Sequence, residues 1–429
     1  MTKGINSLIN LVGLNQLSDR KKSLSRSILL NLFNKISVGI LTIEDDSGTI
    51  TLGKDEQRKD LNAEVIIHDR NVYRNILSGG VLASGEAYID GGWSSPDLPM
   101  VIQLFSANLS MLEKMRYQQN LAGRLKLSIE HFFNKNTVEG SQRNIAAHYD
   151  LGNNFFKLFL DDRMMYSSAV FFDGASNLDK ASQDKLDNIC QLLELTEEDH
   201  LLEIGTGWGG MAIYAAQQFN CQVTTTTISK QQYKYALEKV KKHGLEGKIN
   251  VLLEDYRNLN GQFDKLVSIE MIEAVGDQFF GKYFESCSQL LTPNGKMVLQ
   301  AITIPDQRYR AATNTVDFIK KYIFPGGCLP SIGKITYHVG RDTDMQITHL
   351  RDIAHDYATT LSIWRSRFLS KSEEVVRQGF DERFIRMWEF YLAYCEGGFR
   401  ERVIGAVQLC LVKPSFKTNE HPNTKHLDP

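Results

Sequence analysis

Five short apolar runs, LLEIG at 201–205, QVTTTT at 222–227, INVLL at 249–253, KLVSI at 265–269 and KMVLQAI at 296–302, constrain the chain most strongly. Helical segments lie between them. One runs from the glycines after Gly205 to about Phe219, a second starts at a Ser229–Gln232 capping box and reaches about His243, and a third extends from about Gln278 to Leu291, where Thr292-Pro293-Asn294-Gly295 stops it. Strands this continuously apolar, separated by helices, imply a parallel sheet covered on both faces. Helices around 355–370 and 380–396 and a last strand at 403–412 complete this part.

With 429 residues the chain exceeds the roughly 250–300 at which one core stops growing, so more than one domain is expected. Ahead of the alternating region the runs GILTI, TITL and AEVIIH, with an Asp45–Gly48 turn, read as strands, and 71–79 and 98–114 read as helices around a loop GEAYIDGGW at 85–93. That is a small α+β module. Residues 134–143 are polar and lack apolar periodicity, which places an N-terminal domain over 1–125, a linker over 126–143 and a second domain over 144–429.

Lys plus Arg number 49 against 51 Asp plus Glu, which excludes a globally basic nucleic-acid binder, and 10% aromatic residues exclude a disordered chain. Residues 1–36 are locally basic: Lys3, Arg20, Lys21, Lys22, Arg26 and Lys35 face Asp19 alone. Helical apolar stripes flank Arg20–Lys22, a pattern that fits packing on their own domain or contact with a membrane surface. No stretch approaches 18 uninterrupted apolar residues, and the six cysteines form no C-x-x-C, so the reading is a cytoplasmic protein that reaches any lipid from its surface. His148, His349 and His355 lack metal-type spacing, and homodimer formation stays open.

Glu203-Ile204-Gly205-Thr206-Gly207-Trp208-Gly209-Gly210 lies between the first strand and its helix, where open α/β sheets bind ligands. Gly205, Gly207 and Gly210 also satisfy G-x-G-x-x-G, but a dinucleotide needs an acid about 20 residues on to hold the ribose. Here the second strand ends in threonines, with no acid until Glu238. A P-loop is excluded because no G-K-[ST] follows. Glu203 facing an ammonium group, and Asp255 beside Tyr256 facing an adenine, suit S-adenosylmethionine.

Several longer motifs carry a resemblance: A-H-Y-D-L-G-N-N-F-F at 147–156, M-Y-S-S-A at 165–169, T-I-S-K-Q-Q at 227–232, E-D-Y-R at 254–257, E-M-I-E-A-V-G at 270–276 and K-Y-I-F-P-G-G-C-L-P at 321–330. Together with the glycine loop and GEAYIDGGW, they make the chain similar to the cyclopropane-fatty-acyl-phospholipid synthase family, which includes mycolic acid cyclopropane synthases. The resemblance implies a Rossmann-like methyltransferase with a mostly parallel seven-stranded sheet beside a small N-terminal α+β domain that engages lipid. It implies methyl transfer from S-adenosylmethionine to a cis double bond in phospholipid acyl chains, with ring closure to a cyclopropane at the membrane surface. A methylene- or methyl-branched product, or a catalytically silent lipid-binding protein, are the alternatives.

By the same resemblance Tyr166, Ser167, Glu203, Gly205, Gly207, Gly209, Thr227, Gln232, Asp255 and Tyr256 hold the cofactor. A bound bicarbonate acts as base, held by Glu273, Tyr357 and the Ser168 and Ile302 backbones, with Gln300 where the best-known members have histidine. Cys395 matches a cysteine often marked as active in the family, although methyl transfer to an alkene needs no thiol and a lone Cys on an aromatic helix face fits a small buried hydrophobe.

Overall fold

The computed structural model describes residues 23–54, 58–112, 151–172 and 177–417. Two sheets organise them. The larger has seven strands: β5 (His200–Ile204), β6 (Gln222–Thr227), β7 (Ile249–Leu253), β8 (Phe263–Ile269), β9 (Leu291–Thr303), β10 (Gln346–Asp352) and β11 (Gly405–Val412). Their spatial order is β10-β11-β9-β8-β5-β6-β7, with β9 to β7 parallel and β10 and β11 antiparallel. From β5 the chain steps outward through β6 and β7, then returns to β8 on the other side of β5. The order therefore reverses between β5 and β8, and a crevice opens beyond the carboxyl ends of those two strands.

The N-terminal sheet has the order β2-β1-β3-β4, built from β1 (Gly39–Asp45), β2 (Gly48–Lys54), β3 (Asn62–Ile67) and β4 (Trp93–Ser94). β1 and β2 form the antiparallel hairpin that the Asp45–Gly48 turn predicts, and β3 runs parallel to β1. A helix over 23–33 and the helix Leu98–Ala107 cover it, burying Leu29, Phe33, Leu41, Ile43, Val101 and Leu104. The Asp97 side chain caps the second of these by accepting from the Met100 N–H at 3.1 Å.

Three local expectations change. The helix expected over 71–79 ends at Gly80, whose backbone (φ 62°, ψ −141°) is not helical, and a second helix follows it to Ile89. Only glycine takes that backbone readily. Residues 85–89 of GEAYIDGGW are consequently helical instead of loop, and the helix expected over 98–114 is interrupted at Asn108 and resumes over 109–112, where the described residues pause. β9 begins at Leu291, directly after the helix Phe280–Leu290, so the Thr292–Gly295 segment belongs to the strand. The Arg20–Lys22 cluster, His148, the linker over 126–143 and the start of the second domain at 144 lie outside the described residues.

The GEAYIDGGW segment docks the N-terminal sheet and its helices against the C-terminal part of the chain. A Cβ on Gly85 would lie 2.9 Å from the Phe318 and Phe390 rings, so only glycine allows this approach. Lys321 and Tyr322 donate to Glu86 at 2.6 and 2.8 Å, Tyr88 donates to Glu389 at 2.7 Å, and Arg383 pairs with Asp90 at 2.9 Å. Arg386 donates to the Tyr88 and Trp93 carbonyls at 2.6 and 2.9 Å while lying over the Tyr88 ring. One apolar core continues across this junction.

Candidate functional site

The glycine loop leaves β5 in a conformation that requires its glycines. Gly205, Gly207 and Gly209 have φ of +102°, +51° and +88°, and Gly209 caps the helix Gly210–Phe219. The Gly205 and Thr206 N–H groups both donate to the Thr226 carbonyl at 3.0 Å, folding the loop over β6. A Cβ on Gly207 would meet no protein atom within 4 Å, so the loop faces open space there. Gly209 instead packs against Ala236.

A cavity of about 730 Å³ begins at this loop, within the roughly 300–1,000 Å³ of ligand sites. Tyr166, Ser167, Glu203, Gly205, Gly207, Thr227, Gln232, Asp255 and Tyr256 all line it. The buried Glu203 carboxylate accepts from Thr225 Oγ1 at 2.6 Å, and burial raises its pKa to about 8. A ligand ammonium beside it would restore the charged form. Thr227 Oγ1 donates to Gln232 Oε1 at 2.9 Å, and the Ser229 cap expected from sequence accepts from the Gln232 N–H at 3.3 Å. Asp255 is more occupied than expected: Arg257 reaches it through its N–H, Nε and Nη2 at 3.0, 2.8 and 2.6 Å. That leaves about one of its roughly four lone-pair positions for an adenine amino group. The residues fit S-adenosylmethionine.

Deeper in the crevice lies a carboxylate cluster that sequence reasoning placed only in part. Glu273, Ile302, Tyr357 and Cys395 line the cavity, whereas Ser168 and Gln300 are fully buried behind it. Glu270 is the residue that was missed. Its Oε2 accepts from Tyr357 Oη at 2.6 Å, and its Oε1 accepts from the Ser168 N–H and from Gln300 Nε2, both at 2.8 Å. Glu273 Oε1 accepts from the Ile302 N–H at 2.5 Å, while its buried Oε2 has no partner. Burial first, and the neighbouring Glu270 second, push the Glu273 carboxyl up to about 8. Its environment therefore favours the neutral acid far more than water does.

Two further supports were not assigned from sequence. β9 and β11 pair Gln300 with Gln408, whose Nε2 donates to Gln300 Oε1 at 2.9 Å; Asn188 in turn donates to Gln408 Oε1 at 2.8 Å. This relay turns the Gln300 NH₂ group toward Glu270. Lys185 is fully buried on the helix Leu178–Leu193 and donates to Ser167 Oγ at 2.7 Å. Desolvation lowers its pKa to about 8, and Asp161 and Glu270 oppose that shift. A lysine on the inward stripe Leu178, Ala181, Ser182, Leu186, Ile189 was the available signal. The Cys395 thiol is pushed up by burial, which keeps it protonated and without nucleophilic character.

A reversing parallel sheet with an acid-flanked glycine loop at its switch point, opening on a cavity with an internal carboxylate pair, defines an S-adenosylmethionine-dependent methyltransferase. Comparison with known proteins narrows this class. Residues 136–409 match the family model described as mycolic acid cyclopropane synthetase. The chain belongs to that family, and its enzyme type is that of the cyclopropane synthases. It is 36% identical to the tuberculostearic acid methyltransferase UfaA1 of Mycobacterium tuberculosis over 79% of this chain and 81% of that one. It is likewise 36% identical to the cyclopropane-fatty-acyl-phospholipid synthase of Escherichia coli, over 80% of this chain and 86% of that one. Among solved structures, mycolic acid cyclopropane synthase CmaA1 complexed with SAH and CTAB superposes with a TM-score of 0.60 at 28% identity, covering 63% of this chain and 98% of CmaA1.

Proposed function

We propose that the protein transfers the methyl carbon of S-adenosylmethionine to the cis double bond of unsaturated acyl chains in membrane phospholipids and closes a cyclopropane ring. One observation carries this reading: a single cavity joins the glycine loop and the carboxylates to apolar side chains of the N-terminal domain, among them Leu29, Phe33, Ile43, Val65 and Val101. S-adenosylmethionine supplies an electrophilic methyl; the rest falls to the chain. An alkene is a poor nucleophile, so it must be held in line and kept from water, and an apolar channel ending at the cofactor loop supports both tasks. In the proposed roles Glu203, Thr227, Gln232, Asp255 and Tyr256 hold the cofactor, with Tyr166 and Ser167 at its amino acid end. The N-terminal domain takes the lipid from the inner face of the membrane as a peripheral partner; among the described residues no helix is long and apolar enough to cross a bilayer.

The test is incubation with methyl-¹³C-labelled S-adenosylmethionine and vesicles of cis-monounsaturated phosphatidylglycerol, followed by NMR of the extracted lipid. Ring protons at high field are the expected result. Vinylidene signals would move the reaction to a methylene branch, the second product, kept because one close relative is named a tuberculostearic acid methyltransferase. Cofactor binding without any new lipid would make the protein a lipid binder instead.

A further inference from the structure

We propose that Glu270 is the resident base of this enzyme, occupying through its own carboxylate the place where the family resemblance puts a bound bicarbonate. The inference rests on the methyl transfer proposed above. Apart from Glu273 itself, every donor expected to cradle bicarbonate already has a carboxylate acceptor. Tyr357 Oη, the Ser168 N–H and Gln300 Nε2 all donate to Glu270, and the Ile302 N–H donates to Glu273. An entering anion would meet a carboxylate instead of donors. Bicarbonate does not fit this site.

The backbone shows that Glu270 is placed there at a cost. It follows β8 directly with φ +51°, a left-handed conformation that costs a non-glycine residue roughly 1–2 kcal/mol. Its N–H is tied to the Gln300 carbonyl at 2.8 Å, which fixes the turn against β9. Strain of this kind at a site is informative because the surroundings must over-determine it. Here they do: three donors converge on the carboxylate, the Asn188–Gln408 relay orients one of them, and the buried Lys185 lies near enough to interact with its charge. Glu270 also lines the cavity, so it reaches the space in which the alkene would lie.

The step balances with this one base. The alkene π pair forms a bond to the methyl carbon as the carbon–sulfur bond breaks, its electron pair going to sulfur and leaving S-adenosylhomocysteine. A C–H bond of the new methyl then supplies the pair that closes the ring onto the cationic carbon, and Glu270 takes the proton. The resulting carboxylic acid returns that proton to solvent before the next turnover.

Two arms test the proposal. In CO₂-free buffer wild-type turnover should be unchanged, while Glu270→Gln, which fills the cradle but cannot act as base, should lose about 10²–10⁴-fold with no recovery on adding bicarbonate. Glu270→Gly, which relieves the positive φ and empties the cradle, should lose as much and regain at least about tenfold with bicarbonate. The second arm needs no turnover: ¹³C-bicarbonate relaxation with the S-adenosylhomocysteine complexes should show binding to Glu270→Gly and none to wild type. Bicarbonate bound in the wild-type cradle, wild-type activity that falls without CO₂ and returns with it, or a fully active Glu270→Gln would each overturn the assignment. A wild type inert toward every unsaturated phospholipid would defeat the methyl-transfer reading, and the binding arm would still decide what Glu270 replaces.

Discussion

Glu270 and Glu273 stand three positions apart in one turn, and hydrogen bonding separates them: the first has three donors, the second one. Burial raises the Glu273 and Glu203 carboxyls to about 8 in the folded, ligand-free protein, whereas an unfolded carboxyl ionises near 4.5. Between those values the folded state binds more protons than the unfolded one, so stability falls as pH rises, by up to roughly 1.4 kcal/mol per pH unit for each group. Denaturant unfolding at pH 5.5 and 7.5 should show that fall in the wild type and a distinctly smaller one in Glu273→Gln; equal slopes would mean that Glu273 is ionised in the fold. At this scale the sequence was only partly legible. The motif E-M-I-E marked the right turn, yet nothing in it says which glutamate faces Tyr357, because that depends on a left-handed φ and on a glutamine two strands away at Gln408.

Among elements, the glycine loop was the most readable, since a short apolar strand running into closely spaced glycines admits few other structures. Its best probe is not Gly205, whose φ of +102° would strain any side chain and confuse a binding defect with a folding one. Gly207, at +51° and facing open space, separates the two. Gly207→Ala should cost no more than about 1–2 kcal/mol of stability. It should weaken S-adenosylhomocysteine binding by more than about tenfold, measured by calorimetry; unchanged affinity would move the cofactor off the loop. The five parallel strands of the large sheet and β11 fell where their apolar runs put them, because buried strands carry continuous hydrophobic sequence, whereas the mostly exposed edge strand β10, QITHLRD, has no such run and was missed. The Gly79-Gly80 pair was rightly legible as a break, but the helix that follows it to Ile89 was not, since GEAYIDGGW reads locally as a loop.

Across the whole molecule, GEAYIDGGW was legible as a family mark but not as a junction, because Phe318, Glu389, Arg383 and Arg386, which it meets, lie more than two hundred residues away in the chain. Gly85→Leu would press a side chain into the Phe318 and Phe390 rings, and overpacking of this kind typically costs about 1–3 kcal/mol. Lipid turnover should drop while cofactor affinity, set by the distant glycine loop, stays at the wild-type value; a matching loss of both would show that the junction only supports folding. The cavity described above is walled by both the N-terminal and the C-terminal parts of the chain, although their sheets share no strand. Leu29 and Phe33 line one end of this cavity and Glu270 the other, so a substitution that narrows the first changes the space that reaches the second. A chimaera that takes its N-terminal part from a relative should therefore keep cofactor binding and lose lipid turnover until the shared wall is refitted.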